Sequence, residues 1–170
     1  MVHLLFKFSP IAALLFATAG CAAPVTPDAP TGQAPLTLHS SAGPVSATCA
    51  ESQCRITVDG EEVIEVMHFG SEADLISPLG ALGTPGRDLF LISESHGDGC
   101  ASMNRVLCTG RTVQVTEPFG NCEAISQAEF TTDVVFEYPS ARFSLDGADE
   151  VRRPRQRWEV NSACRLRQIE

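Results

Sequence analysis

The stretch Asp88–Cys122 constrains the fold most, because it combines successive strand signals with three cysteines. It begins with the apolar run Leu89–Ile92, which is short enough to be a buried strand. A Gly-rich loop separates this run from two further strand-like runs, Asn104–Cys108 and Arg111–Glu117. In the last of these, valines alternate with polar residues, as in a strand with one buried face. The stretch therefore predicts neighbouring strands joined by tight turns.

Strand and turn signals also occur outside this stretch. Asp59-Gly60 lies between two strand-like runs and is a strong hairpin signal, because a type I′ turn needs positive φ at both positions. Pro139-Ser140 is another turn signal, which would place Phe136 opposite Phe143. Turn residues recur at intervals of roughly 8–12 residues, and no segment shows a convincing amphipathic helix. We expect an all-β fold, an antiparallel sandwich or small barrel of about eight strands stapled by disulfides.

Residues 1–20 have the features of an export signal. Lys7 precedes the apolar run Phe8–Ala17, which is too short for a membrane-spanning helix of ~20 residues. The small residues that follow lead to Thr18-Ala19-Gly20-Cys21, which resembles the lipobox of bacterial lipoproteins. The resemblance implies cleavage before Cys21 and lipidation of that residue. The alternative is an ordinary secretory signal, cleaved near Cys21 or Ala23.

If Cys21 is lipidated, the resemblance implies a diacylglycerol thioether and an acylated amine, which together anchor a protein stably. Ala22 stands where some lipoproteins carry the Asp that retains them at the inner membrane, so the periplasmic face of the outer membrane is favoured. Residues 21–47 then form a lipidated, Pro/Ala-rich tether. Residues 48–170 are expected to form a single β domain.

Six cysteines follow Cys21, and an even number behind an export signal predicts three disulfides in an oxidising compartment. Cys49 and Cys54 are close enough to close a small loop. A two-residue turn at Thr109-Gly110 would place Cys108 opposite Arg111 and bring position 100 close to Cys122. The predicted disulfides are therefore Cys49–Cys54, Cys100–Cys122 and Cys108–Cys164.

The segments Gly97-Asp98-Gly99-Cys100 and Phe119-Gly120-Asn121-Cys122 form a second resemblance. A strand, a Gly-rich turn ending in Cys, a strand hairpin and Phe-Gly-x-Cys are similar to a pattern in uncharacterised exported bacterial β proteins. The resemblance supports the Cys100–Cys122 pairing and implies no activity.

The charge of the chain argues against nucleic-acid binding. Loss of the signal removes Lys7, the only lysine, and changes the formal net charge from −9 to −10. The arginines concentrate near the C-terminus, at positions 152, 153, 155, 157, 165 and 167. These arginines either pair with acidic residues of the same domain or bind anionic lipid headgroups and lipopolysaccharide phosphate.

Residues that could carry chemistry crowd one loop but form no known catalytic pattern. Ser93, Ser95, His96 and Asp98 include the residue types of a hydrolase triad, yet triad members normally come from separate elements. The same residue types are common in turns. Glu94, His96 and Asp98 alternate and could offer metal ligands, but histidine is scarce in the chain. We therefore predict no catalytic residue, no cofactor and no metal site.

The segment 70–87 is long for a loop in a compact domain and is a candidate binding loop. Together with the acidic face of the Asp59-Gly60 hairpin it defines the candidate binding residues Glu61, Glu62, Glu72, Asp74, Leu75, Ile76 and Leu79. The carboxylates would attract a cationic partner, and the apolar residues would form an anchor. The alternative is that the apolar residues cover one end of the core.

Three functions remain after these observations. The first is a non-catalytic, lipid-anchored binding or structural module of the cell envelope with a cationic envelope protein as partner. The second is a periplasmic inhibitor or immunity protein directed against a basic envelope hydrolase, through electrostatic steering. The third is an envelope hydrolase, which would require Ser, His and Asp to converge in the fold.

The lipobox-like segment predicts an acylated cysteine at the mature N-terminus. Mass spectrometry of the exported protein should find Cys21 first and carrying acyl chains, because the acyl chains are added to this Cys sulfur and its amine. Cys21→Ser should yield an unprocessed or soluble form. A mature N-terminus that begins elsewhere and is unmodified would contradict lipidation.

Overall fold

A computed structural model of the chain describes residues 36–80, 86–95, 103–144 and 150–169. All of them belong to one compact unit, Gln33–Glu170. The expected export signal, Cys21 and residues 22–35 of the expected tether lie outside the described residues, as does the loop residue His96. The remaining tether residues, 36–47, belong instead to the domain, because Leu36–Ser40 and Gly43–Ala50 are strands and Val45 and Ala47 are buried.

The first sheet is a meander of four antiparallel strands in the order β1-β2-β3-β4. The strands are β1 Leu36–Ser40, β2 Gly43–Ala50, β3 Gln53–Val58 and β4 Glu61–Met67. Asp59 and Gly60 connect β3 to β4 with φ of 52° and 83°, as a type I′ turn requires. The hairpin predicted at Asp59-Gly60 is therefore present.

The middle sheet follows a single helical turn, α1 Glu72–Leu75. Its strands are β5 Ile76–Gly80, β6 Asp88–Glu94, β7 Met103–Thr109 and β8 Gln114–Val115, in the order β5-β6-β7-β8. The expected long loop at 70–87 is thus wrong over Ile76–Gly80, which pairs with β6.

The third sheet is made from the C-terminal part of the chain. In chain order the strands are β9 Gln127–Phe130, β10 Val134–Tyr138, β11 Ala141–Ser144, β12 Glu150–Arg153, β13 Gln156–Val160 and β14 Leu166–Gln168. The sheet has the order β14-β13-β10-β9, and β11 and β12 form a separate two-stranded pair.

The middle sheet lies between two hydrophobic cores. On β6, Phe90 and Ile92 pack with the inner face of the first sheet, whereas Leu89 and Leu91 pack with the third sheet. β7 divides its side chains in the same way, with Leu107 in the first core and Val106 in the second. A strand buried on both faces needs apolar residues at successive positions, which explains the uninterrupted run at Leu89–Ile92.

The all-β, antiparallel and disulfide-stapled fold predicted from the sequence is confirmed, but its layering differs. The described residues form fourteen strands rather than about eight. The four-stranded sheets are open, so the small barrel is not formed, and the middle sheet is an additional layer beyond a simple sandwich. Several strands have only two to four residues and produce no recognisable periodicity.

Two predicted registers are wrong. Cys108 lies opposite Gln114 rather than Arg111, so the connection between β7 and β8 is longer than a two-residue turn. A β-branched Thr109 does not suit positive φ, and it remains in β7, where its Oγ1 donates to the carbonyl of Asp88. Phe136 lies opposite Trp158 and Ala128, not Phe143, because β11 pairs with β12.

Two of the predicted disulfides are present. Cys49–Cys54 joins register partners on β2 and β3. Cys108–Cys164 ties the middle sheet to the connection between β13 and β14. Cys122 is also disulfide-bonded, but Cys100 lies outside the described residues, so the pair Cys100–Cys122 stays a prediction.

The two disulfides should differ in their contribution to stability, because their sequence separations are 5 and 56 residues. Chain entropy assigns ~2 kcal/mol to the short loop and ~4 kcal/mol to the long one. We expect Cys108→Ala/Cys164→Ala to lower the free energy of unfolding more than the matched pair Cys49→Ala/Cys54→Ala. Urea unfolding followed by the fluorescence of the single tryptophan, Trp158, measures both. An equal loss of unfolding free energy in the two variants would show that loop-closure entropy does not dominate the contribution of these disulfides.

Candidate functional site

The apolar residues predicted as a binding anchor lie in the core instead. Leu75 and Ile76 are 0% and 2% exposed and belong to the first core. Leu79 is half-buried against the second core. The alternative interpretation of these residues, that they cover one end of the core, is the correct one. Ile76 is buried because it pairs with Ile92 on β6.

The four predicted acidic residues do not form one face. Glu61 and Glu62 begin β4, whereas Glu72 and Asp74 follow its far end, and a strand of seven residues spans ~20 Å. Glu62 forms an ion pair with Arg55, with Nε 2.6 Å from Oε2. The end of the first sheet near α1 and the hairpin tip at Asp59-Gly60 are therefore two separate surfaces.

The carboxylates of α1 also have structural partners. Glu72 Oε1 accepts a hydrogen bond from the backbone N–H of Cys49 at 3.0 Å. Asp74 accepts one from the hydroxyl of Ser71 at 2.7 Å but stays exposed. Of these two acids, only Asp74 presents its charge fully to solvent.

An exposed apolar pair, missed by the sequence analysis, lies at the same end of the first sheet. Met67 is 46% exposed and Phe69 is 66% exposed, while His68 between them is 7% exposed. This alternation continues that of β4, so Met67 and Phe69 point away from the core on the same side as Glu65. The sequence does contain a signal for this pair, because Met67 and Phe69 lie two and four residues after Glu65 and so share its side of an alternating strand.

The backbone around this pair is held on both sides. His68 N–H donates to the carbonyl of Ser52 at 2.8 Å, and Ser95 N–H donates to the carbonyl of Met67 at 2.7 Å. The His68 ring nitrogens lie 3.1 Å from the Ser93 carbonyl oxygen and 3.0 Å from that of Ser71. The buried ring thus joins β6 to the start of α1 beneath the exposed pair.

Gly70 is required by the close approach of the chain to this ring. A Cβ at position 70 would lie 2.7 Å from Nε2 of His68, inside any normal contact distance. Exposed acidic residues lie in the neighbouring elements: Glu65 on the same side of β4, Glu51 in the turn whose Ser52 carbonyl accepts from His68, and Asp74 in α1. We call the five residues Met67, Phe69, Glu51, Glu65 and Asp74 the Met67–Phe69 surface.

The polar residues considered for catalysis have structural roles where the structure describes them. Ser93 Oγ donates to Asn104 Oδ1 at 3.2 Å, and Asn104 Nδ2 donates to the Tyr138 hydroxyl at 2.9 Å, so the hydroxyl of Ser93 belongs to a buried network. Glu94 is buried and pairs with Arg105 at 2.9 Å. His96 and Asp98 lie outside the described residues. Within the described ranges, His, Cys, Asp and Glu form no cluster suited to a metal ion.

The Phe-Gly-x-Cys motif holds the third sheet against the middle one. The Phe119 ring packs on Phe136, Tyr138 and Trp158 with centroid distances of 5.2, 6.1 and 5.9 Å. A Cβ at Gly120 would meet the Tyr138 ring at 3.1 Å. The fully buried Asn121 donates to the carbonyl of Pro139 at 2.5 Å. The motif is therefore part of the packing.

The C-terminal arginines pair within the domain. Arg155 and Arg157 both contact the buried carboxylate of Glu137, the second with Nε 3.0 Å from Oε1. Arg167 pairs with Glu159 at 2.7 Å, and this carboxylate raises the pKa of the guanidinium. These contacts favour intramolecular pairing over the headgroup-binding alternative.

Comparisons with known proteins supply no further assignment: no family model, curated protein or solved structure matches the chain. Among the described residues, no helix has the length and apolar character needed to cross a membrane.

Tyr138, the single tyrosine, should resist ionisation in the folded protein. Burial raises its pKa, and the Asn104 hydrogen bond opposes this only in part. Because the folded state holds the phenolic proton more tightly, stability is full below the unfolded pKa of ~10 and falls by up to ~1.4 kcal/mol per pH unit above it. Urea unfolding between about pH 9 and pH 12, compared with Tyr138→Phe, measures this slope.

Tyr138→Phe leaves Asn104 Nδ2 without its phenolic acceptor and should cost about 1–3 kcal/mol at neutral pH. In this variant the free energy of unfolding should fall less steeply with pH above ~10, because the tyrosine contribution is removed. Tyrosinate absorbance that develops near pH ~10 without unfolding would contradict the predicted resistance.

Proposed function

We propose that this chain is a non-catalytic binding module of the cell envelope, anchored through Cys21, whose Met67–Phe69 surface contacts a cationic protein. The observation that carries the proposal is the solvent exposure of Met67 and Phe69 on a backbone held in place by buried His68. The lipobox-like segment and the tether support a location at the periplasmic face of the outer membrane. The disulfides are compatible with an oxidising compartment.

The exposed pair fits the anatomy of a binding hot spot. Complete burial of a side chain such as Phe or Met stabilises a complex by about 1.5–3 kcal/mol, and aromatic residues dominate interface energies. The backbone hydrogen bonds of Met67 and His68 limit the ordering cost on binding. An apolar pair on a backbone already held by hydrogen bonds therefore loses little backbone entropy on binding.

The charge of the surface selects the partner. Glu65 shares the outward side of β4 with the apolar pair, Glu51 and Asp74 are exposed in the adjoining turn and helix, and the chain as a whole carries a formal net charge of −9. Arg55, the basic residue opposite Glu65 in register, is already paired with Glu62. A cationic partner would be steered to this surface, and screening over ~8–10 Å would weaken the attraction in salt.

An inhibitor or immunity protein against a basic envelope hydrolase is the second candidate, and the rigid presentation of Phe69 favours it. A preorganised aromatic side chain held out from a disulfide-linked sheet can enter a cleft at little entropic cost. Inhibition of a basic muramidase distinguishes this candidate from a structural module. The hydrolase alternative receives no support from Ser93 and Glu94, whose side chains are engaged within the fold.

The test compares Phe69→Ser with Phe130→Ser, since Phe130 is a similarly exposed phenylalanine, 51% exposed, on β9 of the third sheet. Binding is measured by surface plasmon resonance, first to a basic muramidase and then to a partner purified by cross-linking from envelope extract. Phe69→Ser should weaken the affinity at least tenfold, which is the effect of ~1.4 kcal/mol. Phe130→Ser should change it less than about twofold.

The role of charge is tested by comparing the association rates of two variants. The first is Glu51→Gln/Glu65→Gln/Asp74→Asn, and the second is Glu61→Gln/Glu62→Gln at the far end of β4. The first set should slow association and flatten its salt dependence, while the second set should have a smaller effect because it lies ~20 Å away. Equal affinity of Phe69→Ser and the unaltered protein for the purified partner would reject the proposed surface.

A further inference from the structure

A polar cavity of about 470 Å³ lies at the opposite end of β6 from the Met67–Phe69 surface. It forms where three chain segments meet: the residues before β6, the connection from β7 to β8, and the residue before Cys164. Its lining includes Gly86, Arg87, Gly110, Arg111, Thr112 and Ala163. The Met67–Phe69 surface contacts Ser95, at the other end of β6, which is a strand of seven residues or ~20 Å.

The walls of this cavity are fixed by covalent and polar contacts. The Cys108–Cys164 disulfide holds the segment containing Ala163 against β7. Ser41 Oγ donates to the carbonyl of Gly86 at 2.9 Å, and Ser41 N–H donates to Asp88 Oδ2 at 2.6 Å. The cavity is therefore part of the folded framework.

Two of the segments approach each other closely at Gly110. A Cβ at this position would lie 3.1 Å from the carbonyl oxygen of Gly86. The absence of a side chain keeps the connection from β7 to β8 close to Arg87 and so brings the two arginine-bearing segments to one cavity.

The cavity is positively charged in an acidic protein. In the part of the chain that the structure describes, neither Arg87 nor Arg111 forms an ion pair with a carboxylate, in contrast to Arg155, Arg157 and Arg167. Asp88, the acid next to Arg87, accepts its hydrogen bond from the Ser41 backbone. The remaining polar lining groups of the described chain are the hydroxyls of Thr109 and Thr112 and the amide of Gln114, which carry no charge.

We propose that this cavity binds a phosphate monoester carried on a small polar group such as a sugar or glycerol. Two guanidinium groups match the two negative charges of a phosphate monoester and offer paired N–H donors to its oxygens. The volume lies within the range of small-molecule sites, which hold considerably more than an isolated ion. The net charge of −9 repels anions from the rest of the surface, so binding must depend on these two side chains.

The proposal is tested on the full mature chain by calorimetric titration with glucose 1-phosphate, glycerol 3-phosphate and inorganic phosphate. Arg87→Gln and Arg111→Gln should each weaken binding of the two phosphate esters about tenfold, and the double variant should abolish it. The matched control is Arg55→Gln/Arg167→Gln, which removes the same charge from two exposed arginines outside the cavity lining and should change the affinity less than about twofold.

Vesicles distinguish a soluble ligand from a lipid. Flotation with phosphatidic acid, which carries a phosphate monoester, is compared with phosphatidylglycerol, a diester, and with phosphatidylcholine. Binding to phosphatidic acid that is lost in the double variant assigns the site to a phosphorylated lipid, whereas binding of the soluble esters alone assigns it to a free metabolite.

The folded state of each variant is checked by circular dichroism and its urea midpoint. Arg87→Lys/Arg111→Lys, which keeps the charge but loses the guanidinium fork, should retain weak binding even if a Gln variant unfolds. No binding of any phosphate probe by the unaltered protein, or equal binding by the double variant, overturns the proposal. Neither result bears on the Met67–Phe69 surface, which lies at the other end of β6.

Discussion

The structure depends on the burial of both faces of the middle sheet. On β6, Leu89 faces the third sheet and Phe90 faces the first, so each outer sheet covers apolar residues that the other cannot reach. Removal of either layer would expose a continuous row of apolar side chains to water, at a cost of ~25 cal/mol per Å². The two cores therefore stabilise each other through one shared sheet.

The third sheet is attached to this layer by polar contacts as well as packing. Asn104 and Phe119 exchange two backbone hydrogen bonds of 2.9 and 2.8 Å, which place the Phe119 ring at the centre of the aromatic cluster. The Asn104 side chain satisfies the buried Tyr138 hydroxyl. Buried polar groups are costly when unpaired, so these hydrogen bonds require one alignment of the two sheets. The cysteines then make that alignment covalent through Cys108–Cys164.

Several polar residues that the sequence offered as functional candidates are engaged within the fold, and the two proposed sites lie at the ends of the middle sheet. Ser93, Glu94 and the arginines at positions 155, 157 and 167 all have partners within the fold. The Met67–Phe69 surface and the arginine-lined cavity lie at opposite ends of β6 and differ in charge and polarity. The two proposed sites therefore call for chemically different ligands, a cationic protein at the surface and a phosphate monoester at the cavity.

The sequence by itself determined the all-β fold, the type I′ hairpin at Asp59-Gly60 and the disulfide Cys49–Cys54, because turns, β periodicity and short loops are local properties. The disulfide Cys108–Cys164 is predicted only as the pair that remains after the other two, and its two cysteines are 56 residues apart. Only the tertiary structure decided which apolar residues stay outside. Leu75 and Ile76 are predicted from the sequence as a binding anchor but are buried, while Met67 and Phe69 are exposed. Burial of an apolar side chain depends on which sheet covers its face. The presence of Arg87 and Arg111 in the lining of one cavity is likewise a long-range result, since three segments distant in sequence form that cavity.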